Sequence, residues 1–429
     1  MALTALVAMF LASVAAGNPT AIVRDWPAGD AAAVVMVIGL HPEEAALDKS
    51  GAEPLLAEMM MVQVSREFEQ KTGAAAPLAK SMPTGREIEV DRQREYMAIS
   101  IDVVEEGVPA ALGFLRQTLL EAKWTEEDLA RAKAAVLARR TEWVGQVVTQ
   151  TEDLMLKAMI GDPMAIGYFG GVDGIKNVTL ADLSALRAHL LTKGNVRVSV
   201  EAPEAMESKT VAAALDALVA KLPEGVGYKP RATWVGGKVE VSDNPNVERA
   251  SVAVGFPVAP FGKREFWAAC ILREMLSGDG GTLVEDKQLP ARLGVTSDDS
   301  SDWKDWPMQA LDLPMSQRPY LAVHAVCSPD AVDDARDAVF DHMKVLAAGH
   351  FPDDKLWRAR RRVANGWARD LSPIGQRTEL RGVAALSGAD LPDTKAVTAL
   401  VNAVPRAMLQ SVAQDMIAHA AVGVQVPRD

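Results

Sequence analysis

Two halves of the chain repeat one order of hydrophobic patterns. β-Branched runs at 32–40 (AAVVMVIGL) and 249–256 (RASVAVGF) predict a buried strand early in each half. Each run is followed by a short helical pattern, PLLAEMM from Pro54 and CILREML from Cys270. Alternating stretches then open at the tyrosines of YMAISIDV and YLAVHAVC, which predict a second pair of matching strands.

Helical patterns complete each half in the same order. The patterns VPAALGFLRQTLLEA and AVDDARDAVFDHMKVLAAG follow the alternating stretches. New helices then start near Trp124 (WTEEDLARAKAAV) and Phe351 (FPDDKLWRARRRV), each with acidic residues in its first turn, as the helix dipole favours. Both halves close on a helix and a short strand that ends at Pro203 or Pro427. Pairs of elements that recur in one order in both halves indicate an internal duplication.

The order of elements predicts the fold class and the domains. Strands and helices do not alternate strictly, which disfavours a doubly wound parallel sheet. We therefore predict an α+β protein with two homologous domains, each a mainly antiparallel sheet with helices packed on one face. The predicted domains are 17–221 and 238–429. The segment 222–237 (LPEGVGYKPRATWVGG) joins them as an extended linker.

Composition excludes several classes of function. The chain has 429 residues, 49% of them hydrophobic, and a net charge of −12. An acidic chain argues against nucleic-acid binding, which needs a basic face. Two cysteines, Cys270 and Cys327, cannot build a disulfide framework or a cysteine-based zinc site, and two buried free thiols are the expected state. The six histidines include no pair within one helical turn, so a paired-histidine metal motif is missing.

The N-terminus carries a signal-like segment. Residues 1–16 (MALTALVAMFLASVAA) are almost wholly apolar and lead to small residues, as a secretory signal does. The segment lacks the usual basic start, so a buried strand or helix is the alternative. We expect an exported, extracytoplasmic protein, with a cytoplasmic location as the alternative. No other stretch is long and apolar enough to predict an integral membrane span.

The order and spacing of these pieces resemble the pitrilysin/insulinase superfamily of zinc metallopeptidases, which includes mitochondrial processing peptidases and core subunits of the bc complex. The pieces that carry the resemblance span nearly the whole chain. They include SGAEPLLAEMM, WTEEDLARAKAAVLARR and GVDGIKNVTLADL in the first half, then FGKREFWAACILREMLSGDGG and VPRAMLQSVAQDMIAHAAVGVQVP in the second. The resemblance implies one half of a clam-like peptidase chamber.

The zinc motif of that family is missing at the matching positions. The motif is His-x-x-Glu-His on the first helix, where two histidines bind zinc and the glutamate serves as general base. Here Pro54 takes the place of the first histidine, Ala57 that of the base and Glu58 that of the second histidine. The third ligand, a glutamate on a later helix, falls within 138–140, which reads Ala-Arg-Arg. The sequence therefore predicts no catalytic residues and no metal in this chain.

Glu58 has a counterpart in the second half. Glu274 occupies the matching place in LREM, where the family has no catalytic residue. We therefore interpret Glu58 as a helix-surface residue rather than a remnant of catalysis. The methionine cluster at 59–61 is interpreted as core, with a plastic peptide-facing wall as the alternative.

A second set of family residues is also incomplete. Active members use an Arg and a Tyr of the second half, after a glycine-rich turn, to hold the substrate carbonyl. Here the turn is SGDGG, and Lys287 and Arg292 are weak candidates for substrate binding, with Gly294-Val295 in place of a tyrosine in the region that follows. The basic run RARRR at 358–362 could meet an acidic partner or nucleic acid, although a solvated helix face is the simpler interpretation.

These observations lead to three functional hypotheses. The first is a non-catalytic, peptidase-like subunit that pairs with a zinc-bearing relative, completes its chamber and binds an extended peptide. Zinc is then expected only in the catalytic partner, and a heterodimer is expected more than a homodimer. The second is a scaffold subunit of a larger complex. The third is an active metallopeptidase whose ligands the motif comparison does not reveal.

Overall fold

The structure is a computed structural model of the whole chain. It describes residues 20–26, 29–40, 49–72, 88–161, 168–225, 227, 234–245, 247–294, 308–310 and 318–428. The signal-like segment at 1–16 lies outside the described residues, and the predicted linker is described only at 222–225, 227 and 234–237.

The first half forms a five-stranded sheet and seven helices among the described residues. The strands are β1 (Ala21–Asp25), β2 (Ala31–Gly39), β3 (Glu89–Arg92), β4 (Tyr96–Val104) and β5 (Val196–Ala202). The helices are α1 (Ala52–Thr72), α2 (Val108–Leu115), α3 (Glu126–Val144), α4 (Val147–Ile160), α5 (Val172–Asn177), α6 (Leu180–Leu190) and α7 (Lys209–Val219). The strand order is β1-β5-β2-β4-β3, and only β1 and β5 run parallel.

The second half repeats this sheet. Its strands are β6 (Val239–Asn244), β7 (Ala250–Pro257), β8 (Met308–Ala310), β9 (Tyr320–Cys327) and β10 (Ala421–Pro427). Its helices are α8 (Arg264–Ser277), α9 (Thr282–Glu285), α10 (Leu289–Arg292), α11 (Val332–Ala347), α12 (Asp353–Asp370), α13 (Ile374–Leu386), α14 (Thr394–Asn402) and α15 (Arg406–Ala418). The order β6-β10-β7-β9-β8, with β6 parallel to β10, is that of the first sheet.

The repeated sheets confirm the predicted α+β class with two mainly antiparallel sheets. Alternate residues of each strand point to one face, where the larger helices bury them. In the first sheet, Val34, Met36 and Ile38 enter the core formed with α1, α2 and α7. In the second sheet, Val252 and Val254 enter the core formed with α8, α11 and α15.

The opposite face of each sheet receives a helix from the other half. Helix α4, from the first half, lies on strands β7 and β10 of the second sheet. It approaches closely because the facing positions are small, including Ala253, Gly255 and Gly423. A Cβ added at Gly423 would lie 2.3 Å from the Thr151 carbonyl oxygen, so only glycine fits under the backbone of α4.

The reverse exchange places α13, from the second half, on strands β2 and β5 of the first sheet. Its Gly382 lies against Val37 of β2. Glu201 of β5 is only 1% exposed and pairs with two arginines of α13, Arg377 and Arg381. This exchange, which the sequence patterns did not predict, joins the two halves through both sheets.

Smaller features follow from local sequence. Thr125 and Thr179 form capping boxes with the aspartates three residues on, which fixes the starts of α3 and α6. Cys270 and Cys327 are buried free thiols, as predicted. Met59 and Met60 are each 1% exposed and lie in the core of the first half, which confirms the core interpretation for these two residues.

No helix in the described part of the chain is long and apolar enough to cross a membrane.

Candidate functional site

The residues at the degenerate motif positions lie in the first two turns of α1. Pro54 is the third residue of the helix, where its missing N–H costs no intrahelical hydrogen bond. Ala57 is 7% exposed and packs into the core of the first half. Neither side chain can bind a metal ion, because one is a saturated ring and the other a methyl group.

Glu58 is buried rather than on the helix surface, which corrects the sequence interpretation. Its side chain faces α3, and Arg139 Nη1 lies 2.6 Å from Glu58 Oε2. The carboxylate is 6% exposed because α3 packs along α1, and a second ion pair, Arg66 with Asp128, joins the same two helices. The position expected for a zinc ligand and the segment expected to supply the third ligand therefore meet in space, as an acid–base pair.

The rest of the 138–140 segment carries no ligand either. Arg140 donates from Nε to the Gly170 carbonyl oxygen at 2.8 Å, and Ala138 is exposed. A guanidinium beside Glu58 supplies the positive charge that a metal ion would otherwise supply, so the residues present do not fit zinc. Among the described residues, no group of three or more His, Cys, Asp or Glu side chains could hold a metal ion.

A cluster of basic and aromatic residues joins strand β3 to α3 and to the segment before α5. Arg92 stacks over the ring of Tyr168, with its Cζ 3.8 Å from the ring centroid, and also donates to the Tyr168 carbonyl oxygen. Tyr168 in turn stacks on Trp143 with ring centroids 4.8 Å apart. Burial lowers the pKa of Arg92, while nearby Tyr168 and Glu53 oppose this shift.

Strand β3 is an edge strand of the first sheet in the described part of the chain. It pairs with β4 on one side, from Glu89 opposite Ser100 to Arg92 opposite Met97. An edge strand presents free backbone N–H and C=O groups, to which an extended peptide can add as a further strand.

A cavity of about 250 Å³ lies between the two halves, beside the Arg92 cluster. Its lining residues come from the β3–β4 hairpin, from α3 and α4, from the segment before α5, and from the start of β9 with the residues just before it. They are Gln93, Arg94, Glu95, Tyr96, Trp143, Glu152, Leu156, Ile160, Tyr168, Arg318 and Tyr320. Apolar and aromatic walls with a few fixed polar groups are typical of a binding cavity.

Charged groups of both halves are paired around this cavity. Arg318 Nε of the second half lies 2.7 Å from Glu95 Oε1 of the first half, and both side chains are buried. Arg94 lies 2.6 Å from Asp153 of α4. The neighbouring residue of α4, Glu152, accepts a hydrogen bond of 2.5 Å from the Tyr320 hydroxyl. Burial and the carboxylate of Glu152 raise the pKa of Tyr320, so its hydroxyl stays a donor.

A titratable pair joins the cavity rim to the exchanged helix α13. The Tyr96 hydroxyl donates to Glu379 Oε1 at 3.3 Å. Burial raises the pKa of Glu379 to about 7, and the negative charges of Asp91 and Glu89 add to the increase. This carboxyl group therefore changes charge near neutral pH, in contact with both halves.

The remaining predicted residues lie away from the cavity. Lys287 is exposed between α9 and α10, and Arg292 is the last residue of α10; neither lines the cavity. Glu274 pairs with the neighbouring Arg273 at 2.7 Å.

The charged residues of the cavity were not predicted, although the sequence contains a signal for them. The tyrosines that mark the repeat, Tyr96 and Tyr320, are each preceded two residues earlier by an arginine, Arg94 or Arg318. The duplicated Arg-x-Tyr pattern places both arginines beside the same cavity.

Comparisons with known proteins identify the fold. No protein-family model matches the chain, and no curated protein matches it. Solved structures match over nearly its full length. A peptidase M16 inactive domain from Pseudomonas fluorescens matches with a TM-score of 0.77 and 14% identity, covering 95% of each chain. A protease from Helicobacter pylori matches with a TM-score of 0.77 and 13% identity, covering 96% of this chain and 98% of that one.

A third match is a chain of complex III from Candida albicans, with a TM-score of 0.70 and 12% identity. It covers 94% of this chain and 93% of that one. At these identities the matches define the fold alone, which is the two-domain, α+β fold of M16-like peptidases. This fold agrees with the resemblance to the pitrilysin/insulinase superfamily.

Proposed function

We propose that the chain is a non-catalytic, peptidase-like subunit that binds an extended peptide and pairs with a zinc-bearing relative. The observation that carries the proposal is the Glu58–Arg139 ion pair. In the motif alignment of the sequence, Glu58 stands at a zinc-ligand position and Arg139 lies in the segment expected to supply the third ligand, and the two helices that carry them pack together. One of the structures with the same fold is described as an inactive peptidase domain, which is consistent with loss of the metal site.

Peptide binding is proposed at the edge of strand β3. A peptide that adds to β3 forms backbone hydrogen bonds and needs no catalytic residue. The cavity beside β3 offers a place for one of its side chains, between the aromatic rings of Trp143 and Tyr168 and the ion pairs of Arg94 and Arg318.

The partner is proposed to supply both the zinc and the chemistry. Under this proposal the chain itself binds no cofactor and no nucleic acid, and it forms a heterodimer rather than a homodimer, since a homodimer would contain no catalytic site. Two closing half-chambers should bury more than the roughly 1,200–2,000 Å² of an ordinary interface. An extracytoplasmic location is proposed from residues 1–16 alone.

The test is purification of the chain with its natural partners, followed by zinc analysis and a peptidase assay of the complex and of the isolated chain. We expect zinc and peptide hydrolysis in the complex only, and peptide binding without hydrolysis in the isolated chain. Stoichiometric zinc in the isolated chain, with hydrolysis abolished by Glu58→Gln but not by Glu274→Gln, would contradict the proposal.

A scaffold role in a larger complex is the second candidate. It is favoured by the match to a chain of complex III. The same purification separates the two candidates. A scaffold co-purifies with several subunits, none of which needs a zinc peptidase motif, and its removal dissociates the assembly rather than lowering a peptidase activity.

A further inference from the structure

The outer face of α12 exposes an aromatic side chain that the fold does not need. Trp357 is 55% exposed and is the only aromatic residue among the large exposed hydrophobic side chains of the described part. The Arg361 guanidinium, one turn further on, lies 4.9 Å from the centre of the Trp357 ring. Arg361 forms no ion pair and no hydrogen bond with the residues that the structure describes. We refer to these two side chains as the Trp357–Arg361 patch.

The other arginines of the basic run are already engaged within the chain. Arg358 pairs with Asp354 on the same helix, and Arg362 lies 3.0 Å from Asp279. Arg360 donates to the Val404 carbonyl oxygen. Arg361 is therefore the one guanidinium of the run that is left for an external group.

The internal duplication provides a control for the role of these residues. Helix α3 matches α12 position by position, since Leu129, Ala132 and Val136 are buried as Leu356, Ala359 and Val363 are. The i,i+4 pair of Arg131 with Glu127 likewise matches that of Arg358 with Asp354.

In this alignment, Trp357 matches Ala130 and Arg361 matches Ala134. Both alanines are exposed, as Trp357 and Arg361 are. The repeat thus forms the same helix with two alanines, and alanine has the higher helix propensity. Folding does not explain the indole and the guanidinium, and an exposed pair of Trp and Arg is the composition of a binding hot spot.

We propose that the Trp357–Arg361 patch is the contact point for another protein, which presents a carboxylate to Arg361 and an apolar side chain to the free face of Trp357. A guanidinium pairs strongly with a carboxylate, and the indole loses a large apolar area from water when it is covered. This inference does not depend on the proposed peptide-binding function.

The surroundings of the patch favour a protein over other partners. Anionic membranes and nucleic acids are bound by several free positive charges together. Here acidic residues flank the basic run, with Asp353 and Asp354 in the first turn of α12 and Asp279 beside Arg362, and they neutralise part of its charge. A single free guanidinium next to one indole fits a local, directional contact with a protein surface.

The test uses the full-length chain in cells of its source, with the photo-crosslinker p-benzoylphenylalanine at position 357. The matched control carries it at position 130 of the repeat. After irradiation, we expect a discrete protein adduct from position 357 and none from position 130. Mass spectrometry should place the crosslink in a segment richer in Asp and Glu than in Lys and Arg.

Charge reversal then tests the role of the guanidinium. Arg361→Glu, combined with the crosslinker, should reduce the adduct about tenfold, whereas Arg361→Lys should retain most of it. Unchanged melting temperatures of both variants exclude a folding defect. No adduct, equal adducts at positions 357 and 130, an adduct insensitive to Arg361→Glu, or an adduct to lipid, nucleic acid or a second copy would overturn the proposal.

Discussion

Replacement of Gly423 by alanine should weaken the attachment of α4 to the second sheet. The added Cβ would lie 2.3 Å from the Thr151 carbonyl oxygen and 2.4 Å from the Met155 backbone nitrogen, both backbone atoms of α4. Ordinary contact begins near 3.4 Å, so the helix must rise by about 1 Å. Overpacking of a rigid core costs about 1–3 kcal/mol, and we expect the upper end here because no side chain can rotate away.

The matched control for this variant is Gly255→Ala, on the neighbouring strand and under the same helix. Its Cβ would meet the Met159 methyl group at 2.2 Å and the Met155 sulfur at 2.5 Å. These contacts, and a third with Met155 Cγ at 2.8 Å, are all with methionine side chains, which can adopt other rotamers, so we expect a cost of about 1 kcal/mol, smaller than for Gly423→Ala.

Urea denaturation followed by tryptophan fluorescence and by circular dichroism measures the difference. The wild type should unfold with coincident transitions, because the exchanged helices couple the two halves. Gly423→Ala should lower the urea midpoint of the first unfolding transition, so that the fluorescence and circular dichroism transitions no longer coincide. In Gly255→Ala the two transitions should still coincide. Equal destabilisation by the two variants, or a loss of less than about 1 kcal/mol for Gly423→Ala, would refute the backbone argument.

Three further predictions concern polar groups of the fold. Glu201→Ala should destabilise the chain by about 2–4 kcal/mol in urea titrations, because it leaves Arg377 and Arg381 half-buried without their carboxylate. The pKa of Glu379 in the folded chain, about 7, lies above the ordinary value, so this residue favours folding below about pH 4 and this contribution is lost as the pH rises through 7. Glu379→Gln should therefore raise stability by about 2 kcal/mol at pH 8 and have little effect at pH 4, as measured by urea midpoints at both pH values. Thr125→Ala should remove the capping box of α3 and lower the free energy of unfolding by about 1 kcal/mol, as measured by thermal unfolding. An unchanged melting temperature would contradict this role of the cap.

The sequence alone was sufficient to predict the internal duplication and the fold class. Repeated elements have local signals, such as β-branched runs and acidic helix starts, and their order survives where individual residues differ. The burial of Glu58 was not predictable in this way, because it depends on α3 packing against α1. A single sequence reveals the polar residue but not the helix that covers it.

The exchange of α4 and α13 was also beyond sequence reasoning, for a related reason. Both segments have the pattern of ordinary helices, and their own residues do not indicate which sheet each helix covers. The small residues that admit α4, including Gly255 and Gly423, are distributed over two strands far apart in sequence. They form one surface of small residues only when β7 and β10 pair and bring them to the same face of the sheet.

The exchange and the cavity are parts of one arrangement. Helix α4 carries two consecutive carboxylates, and each holds a residue from a different half: Asp153 pairs with Arg94 of the first half, and Glu152 accepts from Tyr320 of the second. The shape of the cavity thus depends on how α4 rests on the second sheet, which Gly423 determines. A peptide bound at β3 with a side chain in this cavity would touch both halves, and its binding would be sensitive to their relative position without any change at β3 itself.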